Sequence, residues 1–312
     1  MRTAGRQART ARRLGWVCWL QLIVSLHAGS LTVATYNVEN YGPADRMTEE
    51  GYRPAYPKPE REKQALRKVL RALNADVLVL QEMGNQAHLE ELRRDLKAGG
   101  LDYFHHALAL AADTDRHVAI LSKLPLKSVR THADLEFAYF GGREKVKRGL
   151  LEATVAVEGG DITIFGVHLK SRFTDRPDDP QSALRRAGEA TAVRDRMLQR
   201  FPRPAESRFI LLGDCNDAKP NRPIVALQRR GKTEIAVLLP GADSRGETWS
   251  HHYQREESYS RVDHVLVSPG LRAAVRGGAA TIYDGPGVAE ASDHRPVIVV
   301  IETGTLGTKP ER

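Results

Sequence analysis

The residue types that bind metal ions and transfer protons stand where predicted strands begin or end. In RFILLGDCND (208–217) an apolar run ends in a cluster of one glycine, two carboxylates, a thiol and an amide. Comparable polar residues border other apolar runs, namely Asn37, Glu82, His168, Asp263, Asp293 and His294. Carboxylate and amide oxygens are typical ligands of Mg²⁺ or Mn²⁺, and histidine can carry a proton near neutral pH. The sequence therefore predicts a polar site assembled from several strands.

Each of these residues, taken alone, has a more ordinary explanation. A carboxylate after a strand is commonly a turn residue or a helix cap. A single buried histidine is commonly a hydrogen-bonding residue of the core. The coincidence of six strand-end positions favours a functional site, because strand ends converge at one edge of an α/β sheet.

The spacing inside the 208–217 segment separates the roles of its residues. Asp214 and Asn216 are two residues apart, so both side chains face the same side of an extended chain. Cys215 then faces the opposite side, and we expect it to pack in the core rather than act as a nucleophile or a metal ligand. Asp217 is expected to cap the following turn.

Apolar periodicity predicts a chain of alternating strands and helices that must position these residues. The predicted strands cover 31–37, 75–82, 117–122, 149–157, 161–168, 208–214, 261–268 and 295–302. The predicted helices cover 59–73, 85–100 and 178–201. Several strands follow one another without a helix between them, so we expect an α/β protein with mixed sheets. One domain over 31–302 and a polar C-terminal tail over 303–312 complete the organisation.

Residues 1–30 have the composition of a signal peptide. Arginines without any acid precede an apolar stretch at 14–26, and small residues follow at 28–30. This predicts a secreted or periplasmic protein without stable membrane insertion after cleavage. The alternative is an uncleaved membrane anchor through 14–26, although that stretch is short for a membrane span. An Arg12-Arg13 pair suggests twin-arginine export only weakly, because the residues after it fit poorly.

Charge and cysteine content restrict the function only slightly. The formal charge of +8 includes five arginines in residues 1–30, which leaves +3 on the remainder. A mildly basic protein suits a polyanionic substrate without requiring one. Of the two cysteines, Cys18 lies in the predicted signal peptide, so the mature chain would hold only the Cys215 thiol and no internal disulfide.

Seven segments resemble the endonuclease/exonuclease/phosphatase superfamily and occur in the family's order. They are TYNVEN, VLVLQEM, HVAILSK, FGVHLKS, LLGDCND, SRVDHVLVS and ASDHRPVIVV, within residues 31–302. The pair GDxN and SDH is the most specific part of the match. Members include pancreatic-type deoxyribonucleases, abasic-site endonucleases, inositol polyphosphate phosphatases and bacterial sphingomyelinases. The resemblance implies a four-layer α/β/β/α sandwich, with two mixed β-sheets packed face to face and helices outside.

The resemblance also implies hydrolysis of a phosphoester by in-line attack of water, assisted by a metal ion. Glu82 is then the principal ligand of Mg²⁺, or of Mn²⁺, and Asp293 reaches the same ion. Asn37 lies near the metal and the scissile phosphate, and Glu39 assists. Such an ion offsets negative charge that develops on the phosphoryl group.

The catalytic roles are likewise implied by the resemblance. His294 corresponds to the catalytic histidine, with Asp263 as its carboxylate partner. Asp214 orients or deprotonates the attacking water, and Asn216 donates to the developing oxyanion. His168 corresponds to a second histidine that contacts the phosphate.

Cations beside these motifs are candidate substrate ligands. Arg148 precedes a predicted strand, and Lys170 and Arg172 follow His168, where cations would bind a phosphate well. A solvated loop is the alternative for Lys170 and Arg172.

Two segments, 41–60 and 131–149, are expected to decide specificity. The second combines Phe137, Tyr139 and Phe140 with four cations. Aromatic rings stack on exposed bases and cations follow a phosphate backbone, although the same mixture suits a lipid surface.

These observations favour a monomeric nuclease that acts on phosphodiesters. The alternatives are a phosphatase or phosphodiesterase of small organic phosphates or lipid headgroups, and a non-catalytic binding module of the same fold. A serine hydrolase using Ser171 or Ser292 is disfavoured, because neither serine lies in a GxSxG motif.

Four further histidines and two aromatic residues are assigned no function from the sequence. His117 and His264 are expected to be structural. His251 and His252 are not accompanied by a Cys/His set at zinc-ligand spacing. Trp249 and Tyr253 are expected to be sheet or rim residues.

Overall fold

A computed structural model describes residues 29–306 of the chain. The predicted signal peptide, apart from its last two residues, and residues 307–312 of the predicted tail lie outside the described residues. Five α-helices are present in the described part: α1 Glu60–Leu73, α2 Gln86–Ala98, α3 Ala183–Arg200, α4 Arg222–Gln228 and α5 Val288–Ala291. Short 3₁₀ turns cover Pro180–Ser182, Pro204–Glu206, Gln254–Glu256, Pro269–Ala274, Arg276–Gly278 and Thr303–Thr305.

The strands of the first half are β1 Ser30–Asn37, β2 Ala44–Thr48, β3 Gly51–Tyr56, β4 Val77–Met83, β5 His105–Leu108, β6 His117–Ser122, β7 Leu126–Thr131, β8 Glu136–Tyr139, β9 Gly142–Lys145, β10 Leu151–Val157 and β11 Gly160–His168. Those of the second half are β12 Phe209–Asp214, β13 Arg229–Arg230, β14 Thr233–Glu234, β15 Val237–Leu238, β16 Gly241–Ala242, β17 His251–Tyr253, β18 Ser258–Ser260, β19 Asp263–Val267, β20 Ala280–Ile282 and β21 Val297–Glu302.

Most of these strands form two large sheets. One has the order β16-β20-β21-β1-β4-β6-β5 and the other β15-β19-β12-β11-β10-β7. In each sheet a central pair is parallel, β1 with β4 and β11 with β12, while most other neighbours are antiparallel. The expectation of mixed sheets is confirmed.

Three apolar clusters define the layers of the fold. One lies between the sheets and joins residues such as Val33 and Val79 of the first to Ile164 and Leu212 of the second. A second packs α1 and α2 on the outer face of the first sheet, and a third packs α3 and α4 on the outer face of the second. The predicted α/β/β/α sandwich is therefore confirmed.

The core between the sheets ends in polar side chains at one edge of the sandwich. Residues of one strand alternate between faces, so the polar residue that ends an inward-facing apolar series also faces inward. This applies to Asn37 of β1, His168 of β11, Asp214 of β12 and Asp263 of β19. Backbone pairing places His168 beside Asp214, and Asp214 beside Asp263.

The backbone geometry at position 213 requires a glycine before this cluster. Its φ is +148°, and a Cβ atom there would lie 1.9 Å from the carbonyl oxygen of Val167 on the neighbouring strand. Only glycine fits this close approach of two backbones. The glycine of the GDCND segment thus allows β11 to bring His168 next to Asp214.

The structure also shows elements that the sequence did not predict. The segments 41–60 and 131–149 contain the hairpins β2–β3 and β8–β9. The tail predicted from residue 303 begins with a 3₁₀ turn, and Leu306 still packs against the core between the sheets. No helix within residues 29–306 has the length and apolar character needed to cross a membrane.

Candidate active site

Asp214 lies at the centre of the polar edge and is almost fully buried, with 1% of its surface exposed. Its Oδ2 accepts hydrogen bonds from Asn37 Nδ2 at 3.1 Å and from Asn216 Nδ2 at 3.1 Å. Its Oδ1 accepts one from the Asn216 backbone N–H at 2.8 Å. These donors fix the carboxylate in one orientation.

Two histidines stand on either side of this carboxylate. His168 Nε2 is 3.6 Å from Asp214 Oδ2, and His294 Nε2 is 3.9 Å from the same atom. His294 Nδ1 donates to Asp263 Oδ2 at 2.8 Å, and that oxygen also accepts a bond from Ser250 Oγ at 2.8 Å. The structure therefore contains the His294–Asp263 pair that the resemblance implied, and Nε2 of His294 lies on the side of Asp214.

The two histidines favour opposite charge states. Burial, with Arg148 and His294 nearby, holds the pKa of His168 well below its usual value, so His168 is neutral. Burial also opposes the charged form of His294, but the Asp263 and Asp214 carboxylates outweigh it and raise the pKa of His294 well above its usual value. One imidazole and one imidazolium therefore flank Asp214.

Asp214 has the pKa of a general base. Burial and the nearby Asp263 carboxylate raise the pKa of Asp214 to about 7, even though His294 opposes this rise. A carboxylate with a pKa close to neutral accepts a proton more readily than an ordinary aspartate. The arrangement can thus take a proton from a water molecule bound beside it.

A second group of oxygen atoms lies next to Asn37. Glu82 Oε2 accepts the Asn40 backbone N–H at 2.9 Å, and Glu82 Oε1 is 3.9 Å from His168 Nε2. Asn37 Oδ1 accepts the Glu39 backbone N–H at 3.0 Å. Burial and the nearby Asp293 carboxylate raise the pKa of Glu39 to about 7.

This group fits a hard divalent cation. Glu39, Glu82 and Asp293 contribute carboxylates and Asn37 an amide oxygen, and these are ligand types that Mg²⁺ and Mn²⁺ prefer. Burial opposes the charged form of Glu39 most strongly and the Asp293 carboxylate adds to this, so a cation bound beside Glu39 and Asp293 would favour the ionised carboxylates.

Within the described residues, three ligand atoms of His, Cys, Asp or Glu lie within 4.8 Å of one another in two sets, His251 with Asp293 and His294, and Asp214 with Asp263 and His294. Glu39, Glu82 and Asp293 do not form such a set, so their carboxylates would have to move closer together to bind one ion directly. Both sets depend on His294, whose imidazolium form cannot bind a metal.

Several residues around the site have an unusual backbone conformation. Glu39, Asn40, Glu82 and Asn216 have φ angles between 49° and 60°, in the left-handed region that favours glycine. Such conformations cost on the order of 1 kcal/mol each and tend to occur at functional sites. The positive φ of Glu82 coincides with an irregularity in the pairing of β4 with β6 between Leu80 and Met83.

Asn216 already uses both amide protons, because its Nδ2 donates to Leu169 O at 3.0 Å as well as to Asp214 Oδ2. In this arrangement Asn216 positions Asp214, and the predicted donation to an oxyanion would require one of these bonds to break. Asn37 Nδ2 makes a single hydrogen bond within the described residues and so has a second N–H for a substrate oxygen.

The three predicted substrate-binding cations differ in their surroundings. Arg148 is buried near His168; its Nε donates to Asp113 at 2.8 Å, and one terminal nitrogen has no partner among the described residues. Lys170 Nζ instead donates to Ser171 and to the carbonyl of Phe173 in its own loop. Arg172 is exposed, and no interaction with the site is present in the described part of the chain.

Glu189 of α3 is a buried residue that the sequence did not indicate. Its two carboxylate oxygens accept the backbone N–H groups of Lys147 at 3.2 Å and Lys170 at 2.6 Å. The helix thereby holds the two segments that carry Arg148 and His168. A glutamate on a helix with ordinary helical spacing gives no sequence signal for this contact.

His251 is the second residue that sequence reasoning missed. Its Nε2 is 3.5 Å from Asp293 Oδ2, and its ring centroid is 4.5 Å from that of His294. His251 was assigned no function because the sequence has no Cys/His set at zinc-ligand spacing around it. Its contacts with Asp293 and His294 do not require such a set.

The contacts of His264 and Ser292 indicate structural roles for both residues. His264 Nε2 bonds to the Asp217 carbonyl at 2.8 Å, and burial lowers its pKa to about 4, which fits a structural role. Ser292 Oγ donates to the Asn37 carbonyl at 2.8 Å and accepts the His294 N–H at 3.1 Å. Ser292 therefore secures the two segments of the site, and its hydroxyl is not placed as a nucleophile.

Cys215 and Asp217 lie where the sequence predicted. Cys215 is buried in the apolar cluster under α3 and α4. Asp217 accepts the Ala218 N–H at 3.0 Å in the turn that follows, and it also pairs with Arg186 at 2.9 Å.

Both the sequence and the fold of the chain are similar to those of known proteins. Residues 34–294 match the model of the Endonuclease/Exonuclease/phosphatase family. No curated protein matches the chain. Among solved structures, the chain is similar to an endonuclease/exonuclease/phosphatase from Beutenbergia cavernae, with 22% identity, 88% of this chain and 72% of that chain covered, and a TM-score of 0.56.

Two further structures show the same fold. Sphingomyelinase C from Streptomyces griseocarneus is 19% identical, with 88% of this chain and 99% of that chain covered and a TM-score of 0.61. An endonuclease/exonuclease/phosphatase from Bacteroides vulgatus is 13% identical, with 88% and 98% covered and a TM-score of 0.61.

Proposed function

Because the chain belongs to the endonuclease/exonuclease/phosphatase family, a family of phosphoesterases, we propose that it is a metal-dependent nuclease. It would hydrolyse phosphodiester bonds by in-line attack of water. The observation that carries this proposal is the buried Asp214 carboxylate, whose Oδ2 lies 3.6 Å from His168 Nε2 and 3.9 Å from His294 Nε2.

The Asp214 carboxylate is suited to orient the attacking water and to accept its proton. The side chains of Asn37 and Asn216 donate hydrogen bonds to Oδ2, and the Asn216 backbone N–H donates to Oδ1. Because these bonds fix the carboxylate in advance, it needs little reorganisation to accept a proton. Its raised pKa matches proton acceptance near neutral pH.

The His294–Asp263 pair is suited to stabilise the phosphoryl group. Asp263 fixes the ring through Nδ1 and favours its charged form, so that Nε2–H faces the centre of the site. An imidazolium there can donate to a phosphoryl oxygen as negative charge develops. His168 is neutral, and it can orient the phosphate through a hydrogen bond while Asp214 accepts the proton of the attacking water.

The carboxylate group beside Asn37 would hold the metal ion. Glu82 and Asp293 are the proposed principal ligands, with Asn37 and Glu39 assisting. A Mg²⁺ or Mn²⁺ ion bound there would offset negative charge on the phosphoryl oxygens. Arg148, with an unpartnered terminal nitrogen near His168, is the proposed phosphate-binding cation.

Nicking of supercoiled plasmid DNA tests the proposal. The chain from residue 31 is incubated with plasmid and Mg²⁺, with and without EDTA, beside its His294→Ala variant. We expect nicking by the wild type that is lost in EDTA and restored by excess Mg²⁺. A donor that stabilises developing negative charge contributes roughly 10²–10³-fold, so His294→Ala should lower the rate by at least about 10²-fold.

Circular dichroism shows whether His294→Ala is folded. Near-normal nicking by the folded variant would contradict the assignment of His294. No nicking by folded wild type supplied with Mg²⁺ or Mn²⁺ would contradict the nuclease proposal and direct attention to small phosphoesters or lipid headgroups.

We also propose that residues 1–30 direct export, as their composition indicates. The N-terminal sequence of protein recovered from the periplasm or the medium tests this. Recovery only of chains that begin at residue 1, in the membrane fraction, would instead indicate an anchor through 14–26.

A further inference from the structure

A short hairpin, β17–β18, pairs with the segment that carries Asp293 and His294. His251 of β17 forms a β-bridge with His294, and the His252 N–H donates to the Asp293 carbonyl at 2.9 Å. Within the hairpin, His252 lies opposite Tyr259. The hairpin therefore has one face shared with the catalytic histidine and one face turned away from it.

Alternation along β17 separates its rings between these faces. His251 and Tyr253 share a face, because they are two residues apart in a strand. His252 lies on the other face, where its ring stacks on Tyr259 with centroids 4.3 Å apart and an angle of 5° between the planes. Trp249 adds a third ring there, 4.8 Å from Tyr259.

On the catalytic face three rings form a row that leads from the site to solvent. The His294 and His251 centroids are 4.5 Å apart, and those of His251 and Tyr253 are 6.5 Å apart with 23° between the planes. Exposure increases along the row, from the buried His294, with 6% of its surface exposed, through the half-buried His251 to Tyr253, with 40% exposed. The His251 and Tyr253 rings are therefore nearly parallel, and the outer ring is the more accessible to a planar ligand.

We propose that His251 and Tyr253 bind a nucleobase of the substrate, next to the scissile phosphate. This inference rests on the proposed function and adds that the substrate carries a nucleobase beside the scissile phosphate, which is unstacked from its neighbours when it is bound. Every base has a π-face, and stacking on aromatic side chains is the common way in which proteins hold unpaired bases. The row begins at His294, which is proposed to contact the phosphate. A base attached to that phosphate through its sugar would lie beside His251 and Tyr253.

The tip of the hairpin argues against a lipid surface as the occupant. Arg255, Glu256 and Glu257 lie at the tip and are exposed. Burial of three charged side chains at a bilayer surface would require their desolvation, which is unfavourable. A base that stacks on Tyr253 from the side leaves these charges in water.

Two chromogenic esters with the same leaving group test the inference. Thymidine 5′-(p-nitrophenyl phosphate) carries a base, and methyl p-nitrophenyl phosphate does not. We expect Tyr253→Ala to lower kcat/KM for the thymidine ester about tenfold more than for the methyl ester, because one stacking contact is lost. Tyr253→Phe keeps the ring and should restore the preference for the thymidine ester.

Tyr259→Ala is the matched control, since Tyr259 lies in the same hairpin with its ring on the opposite face. We expect this variant to keep the wild-type ratio of kcat/KM values for the two esters. An equal effect of Tyr253→Ala on both esters, or an equal change of the ratio in Tyr259→Ala, would overturn the inference. A wild type that nicks plasmid but shows no preference for the thymidine ester would overturn it as well.

A third ester separates the nucleobase from a quaternary ammonium headgroup, which aromatic rings also bind. Selective loss of p-nitrophenylphosphorylcholine hydrolysis in Tyr253→Ala would assign the row to such a headgroup and contradict our proposal. Failure of the proposed function has a different signature, because the wild type would then neither nick plasmid nor hydrolyse the thymidine ester in Mg²⁺.

Discussion

The two aromatic hairpins of this protein, β8–β9 and β17–β18, differ in what their rings contact. In β8–β9, Phe137 and Tyr139 are buried in the apolar cluster under α3, and the Tyr139 hydroxyl donates to Asp179 at 3.0 Å. In β17–β18, the His251 and Tyr253 rings lie in a row with that of His294 and become more exposed with distance from it. The first hairpin therefore uses its rings for packing, and the second has rings available to a ligand.

The contrast between the two hairpins shows that the composition of a segment does not by itself identify a binding surface. The sequence of 131–149 combines aromatic residues with cations, and this favoured base stacking by that segment. Phe137 and Tyr139 alternate with exposed residues in β8, so their rings face the helix and cannot reach a base. The expectation that these two rings stack on bases is wrong, because burial against α3 competes with ligand binding.

Asp214 gives the largest effect expected on the catalytic side of this comparison. Asp214→Asn removes the proton acceptor while keeping the size of the side chain, so kcat/KM should fall by about 10²-fold or more. Steady-state hydrolysis of thymidine 5′-(p-nitrophenyl phosphate) measures this.

Asp217→Asn is the matched control three residues away, because Asp217 binds Arg186 and the following turn. We expect it to lower thermal stability and to leave kcat/KM of the folded protein within about threefold. Similar losses of activity in both variants would show that strand-end geometry, rather than the Asp214 carboxylate, limits the rate.

Phe137 gives the largest effect expected on the packing side. Its ring lies against Gly188 of α3, where a Cβ atom would come within 2.2 Å of the ring. Phe137→Ala should lower the free energy of unfolding by about 3–5 kcal/mol, as for other buried phenylalanines. Urea denaturation measures this change.

The folded Phe137→Ala protein should retain the wild-type kcat/KM for the thymidine ester, since its ring contacts α3 rather than the site. A selective increase of KM for DNA, without a loss of stability, would restore β8–β9 as a substrate-binding element.

The pH dependence should separate the two regions further. Burial and Asp263 raise the pKa of Asp214 to about 7, so the carboxylate is protonated below that pH and cannot accept a proton from water. We expect kcat/KM to fall about tenfold per pH unit below pH 7. Phe137→Ala should have the same acidic limb, because no titrating residue of the site contacts that ring.

The alkaline limb depends on His294. Although burial opposes its charge, Asp263 and Asp214 raise the pKa of His294 well above its usual value, so the imidazolium persists above neutral pH. Asp263→Asn removes one of these charges, and the alkaline limb should move to lower pH. An unchanged alkaline limb would contradict the role of the His294 imidazolium.

The strands and the polar residues at their ends could be predicted because their signals are local. Asn37, His168 and Asp214 each end an apolar series, and the period of two decides which face they share. The resemblance of the motifs to a family supplied the pairing of the two sheets. Alternation along the chain was therefore sufficient for the strand-end residues, whereas the layers also required the resemblance.

Contacts between distant segments could not be predicted in this way. His251 reaches His294 through a single β-bridge across 43 residues, and its neighbours give no apolar periodicity. Glu189 binds two backbone N–H groups, which leave no trace in the sequence of their own segments. Both contacts depend on how α3 and β17 pack, and packing of distant elements is a tertiary property.

The smallest effect is expected at Phe140, the exposed ring of the first hairpin. It is 47% exposed, it has a φ of 42° in the turn between β8 and β9, and the Arg176 guanidinium lies 4.3 Å from its ring centroid. Phe140→Gly loses the contact with Arg176 but removes the strain of a bulky side chain at positive φ. These effects oppose each other, so the free energy of unfolding should change by less than about 0.5 kcal/mol.

The activity of Phe140→Gly on plasmid DNA then decides between the hairpins. Phe140 is the one ring of the three in 131–149 that a base could reach, so a nucleic-acid surface there would lose its remaining stacking contact in this variant. We expect plasmid nicking at the wild-type rate, because Arg176 and Tyr139 already occupy this ring. A severalfold increase in the KM for plasmid DNA would mean that both hairpins bind substrate, with Phe140 at the outer end of a longer path.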